Sequence, residues 1–353
     1  IAHRSHLKLP VIGITGTNGK TTTKELIACV LKQKYRVAST TGNFNNHIGV
    51  PLTILSIDEG HDVAVVEMGA NHPGEIATLC GIANPDYGLI TNIGKAHLEG
   101  FRDFEGIVRA KRELYDFISA SGGKVFVNAD DALLMKLSNG IERILYGTEG
   151  KLAICGELLE EVPFIAMRWK TNKRDVWNSV ETAIAGAYNF ENLLSAICIG
   201  DYLSLSTAEI RTAFEEYKPP EKRSQVINRE HYTLFLDCYN ANPVSMHAAI
   251  MNLIAQPQKH KIAILGDMLE LGKYSLEEHE KIIDMLHSAG VDNVYLVGSE
   301  FCKAAGKVGF DVFRDTGELI AFFQEKGIHF PDDSVVLIKA SRGIALEKLL
   351  DIL

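Results

Sequence analysis

Nine residues, Gly13 to Thr21, read GITGTNGKT and constrain this chain more than any other stretch. They follow the apolar pair Val11-Ile12 and lead into TTKELIACVLKQK, where Leu26, Ile27, Val30 and Leu31 recur at helical spacing. Strand, glycine-rich turn and helix in that order aim several backbone N–H groups and the positive end of a helix dipole at one point, as a polyphosphate requires. Lys20 adds a mobile cation for the terminal phosphates, and Thr21 places a hydroxyl within reach of a magnesium ion. The stretch reads as a nucleoside triphosphate site. Its spacing departs from the common phosphate-loop pattern, which would put a glycine at Ile14, whereas the glycines fall at Gly13, Gly16 and Gly19. A purely structural strand-to-helix turn is the alternative, and Lys20-Thr21 with the flanking strand and helix argue against it.

From Val11 to about Gly147 the strand-like runs VIGIT, YRVAST, DVAVVEM, YGLITNI, KVFVNAD and RILYG alternate with helical stretches. Such alternation means parallel βαβ units in an open sheet with its site at the strand C-termini. Lys151 to Val180 is more irregular and reads as short antiparallel strands, and helices return at Asn189–Leu203 and Ser206–Tyr217. Lys218-Pro219-Pro220-Glu221-Lys222 then breaks the pattern with two prolines between charges, a domain boundary. A second alternating series follows in YTLFLDC, KIAILGD, NVYLVG and SVVLIKA. The expected fold class is α/β: a mostly parallel-sheet P-loop ATPase domain over residues 1–220, then a smaller Rossmann-like α/β domain over 221–353. A chain of 353 residues is long enough for two such cores.

Composition narrows the function. Apolar residues make up 46% and charged residues 23%, as in ordinary globular proteins. The net charge of −9 argues against a nucleic-acid binder relying on bulk attraction, so an anionic substrate must be gripped by local positive groups. The six cysteines are scattered singly, without Cys-x-x-Cys spacing, and read as reduced core residues of a cytoplasmic protein. No apolar run approaches the roughly 20 residues that cross a bilayer, and no signal peptide is visible.

Polar residues stand at the ends of the strands. Glu67 closes VAVVEMG and reads either as a magnesium ligand beside the phosphate loop or as a solvated strand-end acid. Asn92 and His97 lie in ITNIGKAHLEGF, where His97 is a metal ligand or, more simply, a loop histidine. On the predicted helix Phe104–Ser119, Ile107, Val108, Leu114, Tyr115 and Ile118 form a stripe with Lys111 near its middle, so that lysine must be paired, modified or snorkelling. Asp237 opens DCYNANPVSM, in which Asn240, Asn242 and Pro243 form a turn and a helix start that has a structural reading of its own. GDMLELG and KASRG put Asp267, Lys339 and Arg342 at further strand ends, the last two as cations suited to a carboxylate.

Taken in order, GITGTNGKTTTKE, TGNFNNHIGVPLT, VVEMGANHPGEI, LITNIGKAHLEGF, AKRELY, YNFENLLSA, DCYNANPVSM and ILGDMLELG resemble the Mur ligase family over nearly the whole chain. The YNANP run and GDMLELG are closest to the members that add D-alanyl-D-alanine to UDP-N-acetylmuramoyl-tripeptide in cytoplasmic peptidoglycan precursor synthesis. The resemblance implies ATP and two magnesium ions as cofactors, an acyl-phosphate intermediate, and closure of the second domain on the first about a hinge near Lys218–Lys222. It implies that Gly16, Thr17, Asn18, Gly19, Lys20, Thr21 and Thr22 hold the ATP phosphates, and that Thr21, Glu67 and His97 place the metal ions. Lys111 takes the place of the family's carbamylated lysine, whose anion helps hold the second ion; Lys20, His97 and Lys111 form the implied catalytic set. Asn189 and Asn192 resemble the pair near the adenine, and Arg223 and Asp237 resemble residues that reach the nucleotide from the second domain. The family's usual glycine before that arginine is Lys222 here. Asn240, Asn242, Lys339 and Arg342 are the implied substrate contacts. Family members carry an N-terminal domain for the uridine nucleotide; with Ile1 so close to the first strand, the expectation is a fragment without it. The implied protein is a monomer without nucleic-acid or membrane partners. A folylpolyglutamate synthetase-like ligase, which would not carry the YNANP run, and a P-loop ATPase driving a partner are the competing readings.

Overall fold

The computed structural model describes residues 2–219, 225–291, 293–306 and 309–353. Arg223, and Pro220, Glu221 and Lys222 of the expected hinge, lie outside the described residues. The chain divides into two compact units, one on residues up to 94, 100–183 and 187–217, the other on 95–99, 184–186 and 218–353.

The first unit is organised on a sheet of nine strands: β1 (Val11–Thr15), β2 (Val37–Ser39), β3 (Val63–Glu67), β4 (Tyr87–Ile90), β5 (Lys124–Asn128), β6 (Glu142–Gly147), β7 (Ile154–Glu160), β8 (Ala166–Thr171) and β9 (Arg174–Glu181), in the order β2-β3-β1-β4-β5-β6-β7-β8-β9. β1 and β3 are buried at every position, as expected of parallel strands covered on both faces. The chain leaves β1 toward β2 and β3, then crosses back to β4 on the other side. Strand order therefore reverses between β1 and β4, where an open α/β sheet forms its crevice. The helices Lys20–Lys32 and Phe190–Tyr202 pack on each other, as do Glu75–Ala83 and Phe104–Ser121. The helix Phe104–Ser121 starts at Asp103, whose side chain accepts the Gly106 N–H, and stops at Gly122 in the left-handed region at φ 71°.

The irregular stretch expected as antiparallel strands is β7 to β9, with β8 antiparallel to both neighbours. β7 nevertheless runs parallel to β6, so the meander extends the main sheet instead of forming a separate layer.

The second unit has a six-stranded sheet of β10 (Gln225–Asn228), β11 (Tyr232–Asp237), β12 (His260–Gly266), β13 (Asn293–Val297), β14 (Asp311–Phe313) and β15 (Ser334–Lys339), in the order β10-β11-β15-β12-β13-β14. All pairs are parallel except β10 with β11. Its core joins Leu234, Ile264, Val336 and Ile338 of the central strands to Leu319 and Phe323 of the helix Thr316–Lys326. The two edge strands escaped the sequence reading because QVIN and DVF are too short to show a period.

Candidate active site

Sheet register brings three strand ends to one level in the first unit. Ile14 pairs with Glu67 and Thr15 with Ile90, so the glycine loop, Glu67 and Thr91-Asn92 share the carboxyl edge at the reversal of strand order. Gly16 has φ 145°, and a Cβ there would lie 2.0 Å from Thr91 Oγ1 and 3.0 Å from Thr91 N. Only glycine lets the loop run this close to the end of β4. The Thr17 N–H donates to Asn92 O at 2.9 Å and the Asn18 N–H to Asn92 Oδ1 at 3.0 Å. In return Thr91 Oγ1 and Asn92 Nδ2 donate to Asn18 O at 2.6 and 3.1 Å. The Thr17 hydroxyl donates to Gly94 O at 3.2 Å and accepts the Gly94 N–H at 2.9 Å.

Gly19, at φ 77°, is the N-cap of the helix Lys20–Lys32 and offers no side chain to its first N–H groups. The positive end of that helix therefore faces the loop, beside a half-buried Thr22. Lys20 Nζ lies across the loop, donating to Gly16 O at 2.9 Å and Thr17 O at 2.8 Å. Cation, dipole and backbone donors converge as a polyphosphate requires.

Glu67 is 1% exposed. Its Oε1 accepts from Thr21 Oγ1 at 3.1 Å and from Asn45 Nδ2 at 2.8 Å, and its N–H donates to Thr40 Oγ1 at 3.0 Å. Its Oε2 is buried without a hydrogen-bond partner among the described residues. Leaving such an oxygen unsatisfied costs about 1–3 kcal/mol, and a hard divalent cation is a partner that would relieve it. With the Thr21 hydroxyl alongside, the donor set is all oxygen, and these residues fit magnesium.

Lys111 is 2% exposed on the buried face of Phe104–Ser121, as the sequence stripe required. Among the described residues its ammonium has neither a hydrogen bond nor an ion pair; it sits 5.6 Å from the centre of the Phe101 ring. Burial pushes its pKa down to about 7, the Lys20 charge adds to the effect, and Glu113 and Glu75 oppose it. The lysine is buried, not snorkelling.

Known proteins resemble this chain in sequence and fold. The family model described as Mur ligase middle domain matches residues 14–200, and the one described as Mur ligase, glutamate ligase domain matches 222–342. The chain belongs to the Mur ligase family. It is 34% identical over 345 residues to the UDP-N-acetylmuramoyl-tripeptide–D-alanyl-D-alanine ligase of Treponema pallidum, covering 96% of this chain and 73% of that one. Among solved structures it resembles MurF from Acinetobacter baumannii at TM-score 0.88 and 31% identity, over 99% of this chain and 78% of that one. It also resembles the MurF ligase of Thermotoga maritima in complex with ADP, at TM-score 0.87 and 29% identity, over 99% and 81% of the two chains.

In this Mur ligase Asn189 and Asn192 lie directly behind the glycine loop. Asn192 Nδ2 donates to Asn189 Oδ1 at 2.9 Å, its Oδ1 accepts from Thr23 Oγ1 at 3.0 Å, and a Cβ on Gly19 would come within 2.8 Å of that same oxygen. His97 has φ 51°, a left-handed conformation uncommon outside glycine. Its contacts group it with the second unit, where Nδ1 pairs with Glu270. Asp237 and Lys339 are register partners on β11 and β15. Lys339 is 1% exposed, and its Nζ donates to Asp237 Oδ2 and, at 3.0 Å, to Asn240 O. That ammonium orients the strand end, and Arg342 is the exposed cation of the pair. Asn242 is buried as the N-cap of the helix Pro243–Ala255, its side chain accepting the Ser245 N–H, while Asn240 Oδ1 accepts the Ala241 N–H. Asp267 is 2% exposed and accepts the Glu300 and Phe301 N–H groups at 2.9 Å each, a structural place.

Sequence reasoning missed Thr91 and Asn45, which contact the glycine loop and Glu67, and Lys24, which lies behind them. Asn45 stands in TGNFNNHIG, a motif that carried the resemblance without a role attached. Lys24 carries the same signal as Lys111, a lysine on a buried helical stripe, here with Ile27, Ala28 and Leu31.

Proposed function

We propose that this Mur ligase adds D-alanyl-D-alanine to UDP-N-acetylmuramoyl-tripeptide in an ATP-dependent, ADP-forming reaction. The observation that carries the reading is the buried Glu67, one carboxyl oxygen bonded to Thr21 and the other without a partner among the described residues, at the foot of a glycine cradle on a helix N-terminus. The T. pallidum relative, named for this reaction, and the T. maritima structure with ADP support the choice of substrates.

In this reading an ATP-binding domain over 1–220 binds the β- and γ-phosphates through the backbone of Gly16, Thr17, Asn18, Gly19, Lys20, Thr21 and Thr22 and through Lys20 Nζ. Asn189 and Asn192 lie toward the adenine. A tripeptide carboxylate oxygen attacks the γ-phosphorus, the bond to the β–γ bridging oxygen breaks, and ADP leaves with that oxygen. The D-alanyl-D-alanine amine then attacks the acyl-phosphate carbonyl and loses a proton, and phosphate departs with the former carboxylate oxygen. Positioning and charge neutralisation supply most of the rate. Thr21 and Glu67 would hold magnesium, which would neutralise phosphate charge, and the resemblance alone adds Lys111 and His97 for a second ion. The burial of Lys111 and its low pKa support carbamylation: its neutral amine would add to CO2 with formation of an N–C bond and release of one proton, and the carbamate would offer an anionic oxygen to a metal ion. The places of His97, Arg223 and Asp237, and of the substrate set Asn240, Asn242, Lys339 and Arg342 in a domain over 221–353, rest on the resemblance. We further place the protein in the cytoplasm as a monomer; no described helix is long and apolar enough to cross a membrane.

The test is ADP release from ATP with neither, either and both substrates. The proposal expects release that requires the tripeptide and matches amide formation when the dipeptide is present. Release that ignores both substrates belongs to an ATPase and overturns it.

A further inference from the structure

We propose that Lys24 is a positioning residue for the Glu67 carboxyl group and thereby sets how tightly the site takes a divalent cation; the inference rests on the reading of Thr21 and Glu67 as that cation's ligands. Lys24 is 2% exposed, one helical turn beyond Lys20. Its Nζ donates to Thr40 O at 2.7 Å and to Gly42 O at 3.3 Å, with Glu25 at 3.7 Å. These bonds tie the helix that carries Thr21 to the loop that follows β2.

That loop holds Glu67 at both ends. Thr40 is fixed to β3 through its N–H, which donates to Val65 O at 3.1 Å, and its Oγ1 accepts the Glu67 N–H at 3.0 Å. Asn45, farther along the same loop, donates from Nδ2 to Glu67 Oε1 at 2.8 Å, and its carbonyl accepts the Gly69 N–H at 2.8 Å. A Cβ on Gly69 would come within 2.9 Å of the Asn45 side chain, so the approach is close on both sides. Oε1 is thereby occupied by Thr21 and Asn45, and Oε2 is left as the oxygen without a partner among the described residues.

An apolar side chain would fill the stripe of Ile27, Ala28 and Leu31 with no charge to desolvate. What a lysine adds is the direction of its bonds, which hold the loop and, through it, the rotamer of Glu67. Partners of this outer kind commonly change metal affinity by about 10–100-fold when removed.

The experiment reads Mn2+ affinity by electron paramagnetic resonance on the full chain with ADP, for wild type, Lys24→Met, Thr40→Val and Glu67→Gln. Lys24→Met and Thr40→Val should each weaken Mn2+ binding by about 10–100-fold, leave metal-free ADP affinity unchanged, and raise the Mg2+ concentration for half-maximal activity while saturating Mg2+ restores kcat. If circular dichroism shows that Lys24→Met does not fold, Lys24→Gln, an uncharged polar replacement at the same position, decides in its place. Unchanged Mn2+ affinity in the folded variants, with Glu67→Gln weakened, overturns the role of Lys24 alone. Unchanged affinity in Glu67→Gln as well overturns the metal reading of the site and this inference with it.

Discussion

The hydroxyl of Thr21 and the carboxyl group of Glu67, 46 positions apart in the chain, meet at 3.1 Å where β1 hands over to the phosphate loop. Thr21 faces the carboxyl end of the sheet because Gly19 ends the loop just before it, and Glu67 faces it because β3 is in register with β1. The pair leaves one oxygen of Glu67 buried and without a partner among the described residues, which is costly unless the site is made for a cation.

Replacing that oxygen tests the arrangement. Glu67→Gln should lower kcat by about 10²–10³-fold, the scale of losing a charge-stabilising group, and should raise the Mg2+ requirement, while its denaturant midpoint stays near that of the wild type. Steady-state ADP formation across a Mg2+ titration, with urea unfolding in parallel, checks both; unaltered Mg2+ dependence would refute the assignment.

The two loop glycines should differ in severity. At Gly16 an added Cβ meets both the hydroxyl and the backbone nitrogen of Thr91, whereas at Gly19 it meets only the Asn192 side chain. Both sit at positive φ, which alone costs about 1–3 kcal/mol for a non-glycine residue. Gly16→Ala should therefore abolish ADP binding and destabilise more than Gly19→Ala, as measured by calorimetric titration and thermal melts. The reverse order would contradict the packing described.

Lys111 makes stability depend on pH in a definite sense. Its folded pKa is about 7, against about 10.4 for an unfolded lysine. Between those values the unfolded chain holds a proton that the folded chain has released, so stability rises with pH, by up to about 1.4 kcal/mol per unit. Lys111→Met should be more stable than wild type, most of all below about pH 7, with the gap closing toward about pH 10. Urea midpoints across that range in CO2-free buffer measure it, and a constant gap would mean the lysine is not buried as a charge.

In the second unit His279 works from the acid side. The ring is fully buried; Nδ1 donates to Ser275 O at 2.7 Å and Nε2 accepts the Met268 N–H at 3.0 Å, which fixes a neutral tautomer. Burial holds its pKa below the usual value, outweighing Asp267 at 3.7 Å. A depressed folded pKa means stability falls as pH drops below about 6.5, where the unfolded histidine takes up a proton. His279→Gln should flatten the decline in denaturant midpoint between about pH 7 and 5; an unchanged slope would place the titration elsewhere.

What the sequence made legible was local. The strand, loop and helix around GITGTNGKT, the acid closing β3 and the lysine on the stripe of Phe104–Ser121 are each signalled by residues close in the chain. The contacts that complete the site are not. Asn45 reaches Glu67 only because β2 pairs with β3, and Asn192 reaches Gly19 only because its helix packs on Lys20–Lys32. Lys339 reads in sequence as a cation for a substrate, yet its register partner Asp237 engages it under the surface, a pairing that strand order alone decides.

The central claim is that the loop passes a phosphoryl group to a carboxylate rather than to water. It is tested most directly by labelling the tripeptide's terminal carboxylate with oxygen-18 and analysing the phosphate released in the presence of D-alanyl-D-alanine by mass spectrometry. An acyl-phosphate route predicts one labelled oxygen in each phosphate, carried over when the amine displaces it. Phosphate that takes its new oxygen from solvent, with the label left in the peptide, would contradict the account.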